Sequence, residues 1–471
     1  MRYATIVILA LVVFLPSLTA FSAEPTVKLT VLVEEDVYPN PNADNGAGAM
    51  WGQCSTTVSR IGNDVFLSKL VVVPDAKPLN NCRWDLLKRN ADGWQLLFAD
   101  EQNRTREPSP IAVYPDSREV FISANPTLVA DPEVYSGPAQ PQVVRFRVDN
   151  DAIEPQTLLP AWFSSEPGFT EHSYRSFAAD GFHEELILFQ NVGYTHAEWV
   201  LRDYNNVWSA SGKLVWPWGA DYAKPQPIRI CYPAVALVNK KAFFFGVSDI
   251  IEPNPEWQEF KRELTGRQWD YDFRRLFFTW SNDITVGVFQ PWVEISSREG
   301  TCGWIMPCDL HVARDGAVHL LWTERAIDTR LRERFFPDTK QSEALCHAVV
   351  REGKIEKRSD VMIRHENETK PVASTGRFHV TPDGRIWIVC YVRGTEIDEA
   401  TGERRNVSEN RIVEIKNGEP TGVFQTIPLE RPFSQFCTAT IRAGNEPSAI
   451  LDLHGTSPNS NQLRYAAVKF E

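Results

Sequence analysis

Seven times along this chain a pair of short apolar runs recurs around a tight polar turn, and that repetition limits the fold more than any single residue does. The units run over residues 50–72, 106–126, 171–191, 229–249, 301–324, 375–394 and 432–455. Their turns centre on Asn63, Asp116, Asp180, Asn239, Asp315, Asp383 and Asn445, between 53 and 76 residues apart. Asp180-Gly181, Asp315-Gly316 and Asp383-Gly384 are the pairs that tight hairpins favour, because they tolerate positive φ. A sheet module repeated at this spacing is best closed radially, which buries its faces and leaves few exposed edges. The sequence therefore predicts an all-β fold, a seven-bladed β-propeller with short helical insertions, occupying 24–471 as one domain.

The two ends of the repeat array complement each other. Residues 27–35 read as a strand with no partner of its own, and the last repeat, ending in 463–470, is one strand short. Pairing the first into the last closes the ring. Weaker outer strands are visible at 84–88 with 94–98, at 143–148, at 199–203 with 213–216, and at 411–415. The wide spacing between the fourth and fifth turns marks an insertion. It carries a helix over 255–265, with Asn254 as its cap, Pro255 in its first turn, Gly266 at its exit, and Trp257, Phe260 and Leu264 on one face. A second short helix is expected over 327–335. The charged stretch 396–409 reads as a solvated loop.

At the N-terminus, Arg2, the apolar run 4–15 and the small residues around Ala23 form a secretory signal over 1–23, too short to span a bilayer. The mature chain is expected to be secreted or periplasmic, with no membrane insertion after cleavage. A formal net charge of −12 argues against duplex nucleic acid as partner, since phosphate binding needs a basic face. An exported chain permits disulfides among the eight cysteines, and Cys302 with Cys308, which bracket a short loop, is the pair expected to bridge. Cys390 and Cys437 lie in apolar strands and read as buried free thiols.

Propeller geometry narrows the search for chemistry. If the first strand of each unit is innermost, its start and the end of the second strand emerge on one face. That face gathers Trp51, Gln53, Arg106, Glu107, Asn125, His172, Tyr174, Asn191, His196, Arg229, Tyr232, Asp249, Trp304, Asp309, Glu324, Arg325, Arg377, His379, Arg393, Gln435, Asp452 and His454. Arginines there suit a carboxylate or sulfate through forked hydrogen bonds. Aromatic side chains suit sugar rings, and a histidine can move a proton near neutral pH. The catalytic candidates are His172, Tyr174, Tyr232, Asp309 and Glu324. The substrate-binding candidates are Arg106, Glu107, Asn191, His196, Arg229, Asp249, Trp304, Arg325, Arg377, Arg393 and His454. No cofactor is expected; the segment 36–48 is rich in the oxygen donors that Ca²⁺ takes but lacks ordered ligand spacing.

With the repeat layout, the strings 228–233 (IRICYP) and 269–275 (WDYDFRR), and the turns Arg314-Asp315-Gly316 and Pro382-Asp383-Gly384, the chain resembles the secreted BNR-repeat, sialidase-like propellers of bacteria. Their Asp box is echoed in Ser281-Asn282-Asp283, Gly287 and Trp292, at longer spacing. The resemblance extends to propeller polysaccharide lyases and glycosidases, and it implies action on an acidic polysaccharide or glycoconjugate. In a lyase, His172 with Tyr174 or Tyr232 would move protons while Arg229 or Arg377 neutralises a uronate carboxylate. In a hydrolase, two carboxylates such as Asp309 and Glu324 would do the work. The alternative is a propeller that binds glycan or protein without turnover.

Overall fold

In each repeat the two apolar runs pair as an antiparallel hairpin, and two further strands extend the sheet outward. The computed structural model describes residues 27–51, 54–149, 154–267, 270–397 and 401–471. The expected signal segment and Gln53 lie outside the described residues. Seven four-stranded sheets form the blades, numbered 1–7 in chain order. Their inner strands are Val58–Ile61, Ile111–Tyr114, Arg175–Asp180, Ile230–Val238, Trp304–Val312, Val372–Val380 and Gln435–Thr438. These strands pack against one another around the ring, so the first strand of every unit is innermost, as expected. The strand Leu29–Pro39 pairs antiparallel with Gln462–Phe470 and completes blade 7, which ties the two ends of the chain together.

Packing between blades is apolar and continuous. Phe189, Trp199, Trp216 and Phe244 fill the space between blades 3 and 4, while Trp322, Phe245 and Phe278 do so between blades 4 and 5. No helix among the described residues is long and apolar enough to cross a membrane.

Four expectations need correction. The helix Pro255–Thr265 forms with Asn254 accepting from the Glu256 and Trp257 amides, but Leu264 is exposed and Lys261 is the side chain it buries. A carboxylate shell of Glu252, Asp270 and Asp328 around Lys261 Nζ makes that burial tolerable. The second helix is a single turn, Arg332–Phe335, packed through Phe335 and Phe336 on Phe260 and Trp257. The stretch 396–409 extends a hairpin: Ile386–Ile397 and Arg404–Lys416 stay in register out to Ile397 opposite Arg404, with charged pairs such as Glu396 and Arg405 across the ladder. All eight cysteines are free and buried. The Cys302 thiol faces Arg274, whose Nη1 lies 3.2 Å away, whereas Cys308 packs among blade 6 side chains, so the two do not meet. Cys390 and Cys437 are buried free thiols, as read from the sequence.

The innermost hairpin of blade 7 departs from the other six. Its strands are joined by a long connection, 439–449, that enters the central channel and touches every other blade. Asn445 Oδ1 accepts from the Arg60 amide (2.7 Å), Ala443 O from Val113 N (2.8 Å) and Arg442 O from Ala179 N (2.8 Å). The Arg442 guanidinium reaches Val235 O (3.2 Å) and Asp309 Oδ1 (2.6 Å), and Ser448 N donates to Val380 O (2.9 Å). The connection is a plug that fastens all seven blades at the axis. Its tip is Gly444, at φ +84°, where a Cβ would sit 2.0 Å from Val113 O. Gly444→Ala is expected to lower unfolding free energy by about 1–3 kcal/mol, the usual range for forced overpacking. Denaturant unfolding of the variant beside the wild type checks this, and an unchanged midpoint would refute the plug's tight fit.

Candidate functional site

The two ends of the channel differ in chemistry. A cavity of about 550 Å³ opens at the turn end, above the plug, walled by Phe182, Val238, Phe243, Phe278, Trp280 and Val312 with scattered polar residues. The opposite end carries the starts of the inner strands, and there the titratable and aromatic side chains interlock. The second location is the chemically equipped one.

Blades 2, 3 and 4 build the cluster. Just before the blade 2 inner strand, Arg106 Nη1 lies 3.1 Å from Glu107 Oε1 and 3.4 Å from His172 Nε2. A guanidinium only donates, so it holds Nε2 in the unprotonated form and leaves the ring proton on Nδ1. The segment 36–48, considered for Ca²⁺, instead buttresses this arginine: Asn45 O accepts from Arg106 Nε (3.2 Å) and Asn45 Nδ2 donates to Arg106 O (3.0 Å). Within that segment Asp36 is spent on Arg431 and Arg464.

His172 lies beside Tyr174, ring centroids 6.1 Å apart, and the Tyr174 hydroxyl is 3.3 Å from that of Tyr232. Trp51 meets Tyr232 edge-on at 5.5 Å. Tyr232 sits at φ +49°, a left-handed conformation that costs a non-glycine residue, and costs more before a proline such as Pro233. The strain occurs at a bulge, where the register of blade 4 slips between Cys231 and Ala234. Bulges re-aim side chains at the rims of sheets, and this one turns Tyr232 toward Tyr174 and Trp51.

Arg229 is held from below and boxed from the sides. Its Nε donates to Asp249 O (2.9 Å) and its Nη2 to Asp249 Oδ2 (2.8 Å). Its guanidinium carbon lies 3.9 Å from the Tyr194 ring centroid, 5.5 Å from that of Tyr271 and 5.6 Å from that of Tyr174. The Tyr194 and Tyr271 hydroxyls are 3.0 Å apart and close the box. Asn191 acts one step back, donating to Ile230 O at 3.1 Å and so fixing the backbone beside Arg229.

These surroundings set the protonation states. Desolvation first, then the positive charges of Arg106 and Arg229, lower His172 to about 4. Burial pushes the Tyr174 and Tyr232 hydroxyls up, and it raises Glu107 and Asp249 against the opposing pull of Arg106 and Arg229. At neutral pH the site therefore offers a neutral imidazole, two protonated phenols and two guanidinium groups. A lowered folded-state value means that the basic imidazole is lost only as pH falls through about 4. Any reaction using His172 as base should keep its kcat/KM down to about pH 4–5, with an acid limb below the ordinary histidine range. A pH–rate profile checks this, and a limb centred between pH 6 and 7 would contradict the desolvated imidazole.

The remaining candidates are placed elsewhere. Asp309 is fully buried, its Oδ1 on Arg442 and its Oδ2 accepting from Phe378 N (2.8 Å), so it anchors the plug. Glu324 is an inter-blade link, accepting from Ser296 Oγ (2.9 Å) and Trp322 Nε1 (3.0 Å) and pairing with Arg298. Neither carboxylate is available for acid or base work, because each is sealed by its partners. Arg377 is buried, its Nη1 donating to Gly376 O (2.6 Å). His454 is buried against Thr57, Arg393 is exposed near Glu343, and His196 bonds its neighbour Thr195. Trp304 and Arg325 stack on each other, 5.1 Å from guanidinium carbon to ring centroid, at a second cavity next to the cluster. The sequence reading missed Tyr194 and Tyr271 as site residues. Tyr194 lies in an outer turn and Tyr271 inside the insertion, and no strand-start rule selects either.

The chain is a seven-bladed β-propeller whose polar cluster sits where the inner strands begin. Among solved structures it is similar to the ulvan lyase of polysaccharide lyase family PL25 bound to -[GlcA(1-4)Rha3S]-, with a TM-score of 0.52 and 10% identity over 93% of this chain and 95% of that one. It is also similar to the α-L-arabinofuranosidase Arb93A of Fusarium graminearum, with a TM-score of 0.43 and 10% identity over 93% and 98%. A Trypanosoma rangeli sialidase variant matches with a TM-score of 0.35 and 9% identity over 82% and 58%. At these identities the likeness is one of fold. No family model matches the sequence, and no curated protein does. The sialidase-like resemblance thus rests on the propeller and not on a BNR-repeat match.

Proposed function

We propose that this protein is an exported polysaccharide lyase that cleaves an acidic, uronate-bearing polymer by β-elimination. The observation that carries the reading is the neutral His172, its Nε2 kept unprotonated by Arg106, beside two protonated tyrosines and the fixed guanidinium of Arg229. Elimination needs such a set. Arg229, with Arg106, neutralises the uronate carboxylate and so makes the adjacent C5–H acidic. His172 takes that proton, the released electron pair forms the C4=C5 bond, and the C4–O4 bond breaks. The departing O4 takes a proton from the Tyr232 or Tyr174 hydroxyl. For Nε2 to act, Arg106 must turn from the imidazole to the substrate carboxylate, which is the exchange an incoming anion favours.

Hydrolysis is less well served. It calls for two carboxyl groups flanking the scissile bond, whereas Asp309 and Glu324 are sealed and Glu107 and Asp249 are buried against arginines. The uronate in the ligand of the ulvan lyase supports the same substrate class. Incubating the chain from Glu24 onward with uronate-bearing polysaccharides should yield new reducing ends together with ultraviolet absorbance from the C4=C5 bond. New ends without absorbance would refute elimination. Binding without either would make the protein a recognition module.

A further inference from the structure

Next to the cluster lies a second cavity of about 290 Å³, and it shares a wall with the site. Tyr271 and Phe273 line the cavity on one side, and on the other they face Arg229 (5.5 Å to the Tyr271 centroid) and Tyr232 (5.8 Å to the Phe273 centroid). Inside it stand Trp304 and a carboxylate with an unused oxygen. Asp272 is 2% exposed, and its Oδ1 lies 3.3 Å from Ser248 Oγ, but its Oδ2 has no hydrogen-bond donor among the described residues. The nearest cationic nitrogen, Arg274 Nε, is 3.5 Å away and donates to Glu299 instead. Burial raises Asp272 to about 7 against the opposing charge of Arg274, and a hydroxyl arriving in the cavity would give this oxygen the hydrogen bond it lacks. Arg325, stacked on Trp304, has no carboxylate partner among the described residues, unlike Arg274 in the same wall.

We propose that this cavity is a second sugar subsite, in which the pyranose next to the cleaved uronate stacks on Trp304 and donates a hydroxyl to Asp272 Oδ2. The polymer then runs from His172 across Tyr271 and Phe273 into the cavity, with Arg325 at its wall as a further donor. A ring stacked on one face and hydrogen-bonded at its edge suits a cavity that sets an aromatic face, Trp304, among charged side chains such as Asp272 and Arg325. The inference rests on the elimination reading for the direction of the chain, though not for the existence of the subsite.

The test uses the full mature chain, its Trp304→Ala and Asp272→Asn variants, and uronate oligosaccharides of two, four and six residues. In the wild type, kcat/KM should rise with length once the chain reaches the cavity. In either variant the ratio between the long and the short substrate should fall about tenfold, through KM. Trp304→Ala is the arm independent of the buried ion network around Asp272, and thermal melting reports whether Asp272→Asn has folded. An undiminished length ratio in Trp304→Ala would overturn the subsite while leaving elimination standing. If the wild type cleaves none of the substrates, elimination fails, and calorimetric titration of the same oligosaccharides decides the subsite. Weaker binding of long chains by Trp304→Ala then supports it, and equal binding overturns it.

Discussion

His172→Ala is expected to lower kcat for uronate elimination by about 100- to 10,000-fold, the range that a positioned general base contributes. His172 keeps part of its surface open to solvent while its ring faces Arg106 and Tyr174 within the site, so the variant should fold with a nearly unchanged melting temperature. Substrate affinity should survive, since Arg229 and its tyrosine box are untouched. A loss in KM alone would identify His172 as a binding group. A rate within a few-fold of the wild type would remove it from the reaction altogether.

The other large effect concerns stability. Asp309→Ala leaves the Arg442 guanidinium buried without its carboxylate and frees the Phe378 amide of its acceptor. Breaking one side of a buried pair costs about 3–5 kcal/mol, because the surviving charge is uncompensated. Here the loss falls on the plug that fastens the blades, so the unfolding midpoint should drop sharply. The double variant Asp309→Leu with Arg442→Met removes both charges and should recover much of that loss. Equal instability of the single and double variants would show that the loss comes from the hydrogen bonds these side chains make to the blades and not from an uncompensated charge. A single variant as stable as the wild type would deny the pair any structural role.

Much of the architecture was legible in the chain. Seven turn-centred repeats gave the blade count, and the unpartnered strand at the start of the array found its place in blade 7, because it supplies the fourth strand that the last repeat lacks. The helix over 255–265 was legible from Asn254, Pro255 and Gly266, whose cap roles are local. Its burial was not, since Lys261 goes inside only because Glu252, Asp270 and Asp328 arrive from elsewhere in the chain. The strand-start rule correctly placed Arg106, His172, Tyr174, Arg229 and Tyr232 on one face. It could not separate them from Asp309, inside its strand, and Glu324, at a second-strand end, both of which end in sealed ion pairs.

By itself, then, the sequence determined the propeller, its closure and the face on which inner strands begin, since all three follow from local pairing and periodicity. Only the tertiary structure decided which polar side chains meet. Arg106 and His172 are 66 residues apart, Tyr174 and Tyr232 are 58 apart, and Asp309 and Arg442 are 133 apart. Such contacts depend on the angle between blades and on a bulge at Tyr232, and neither leaves a periodic trace in the chain.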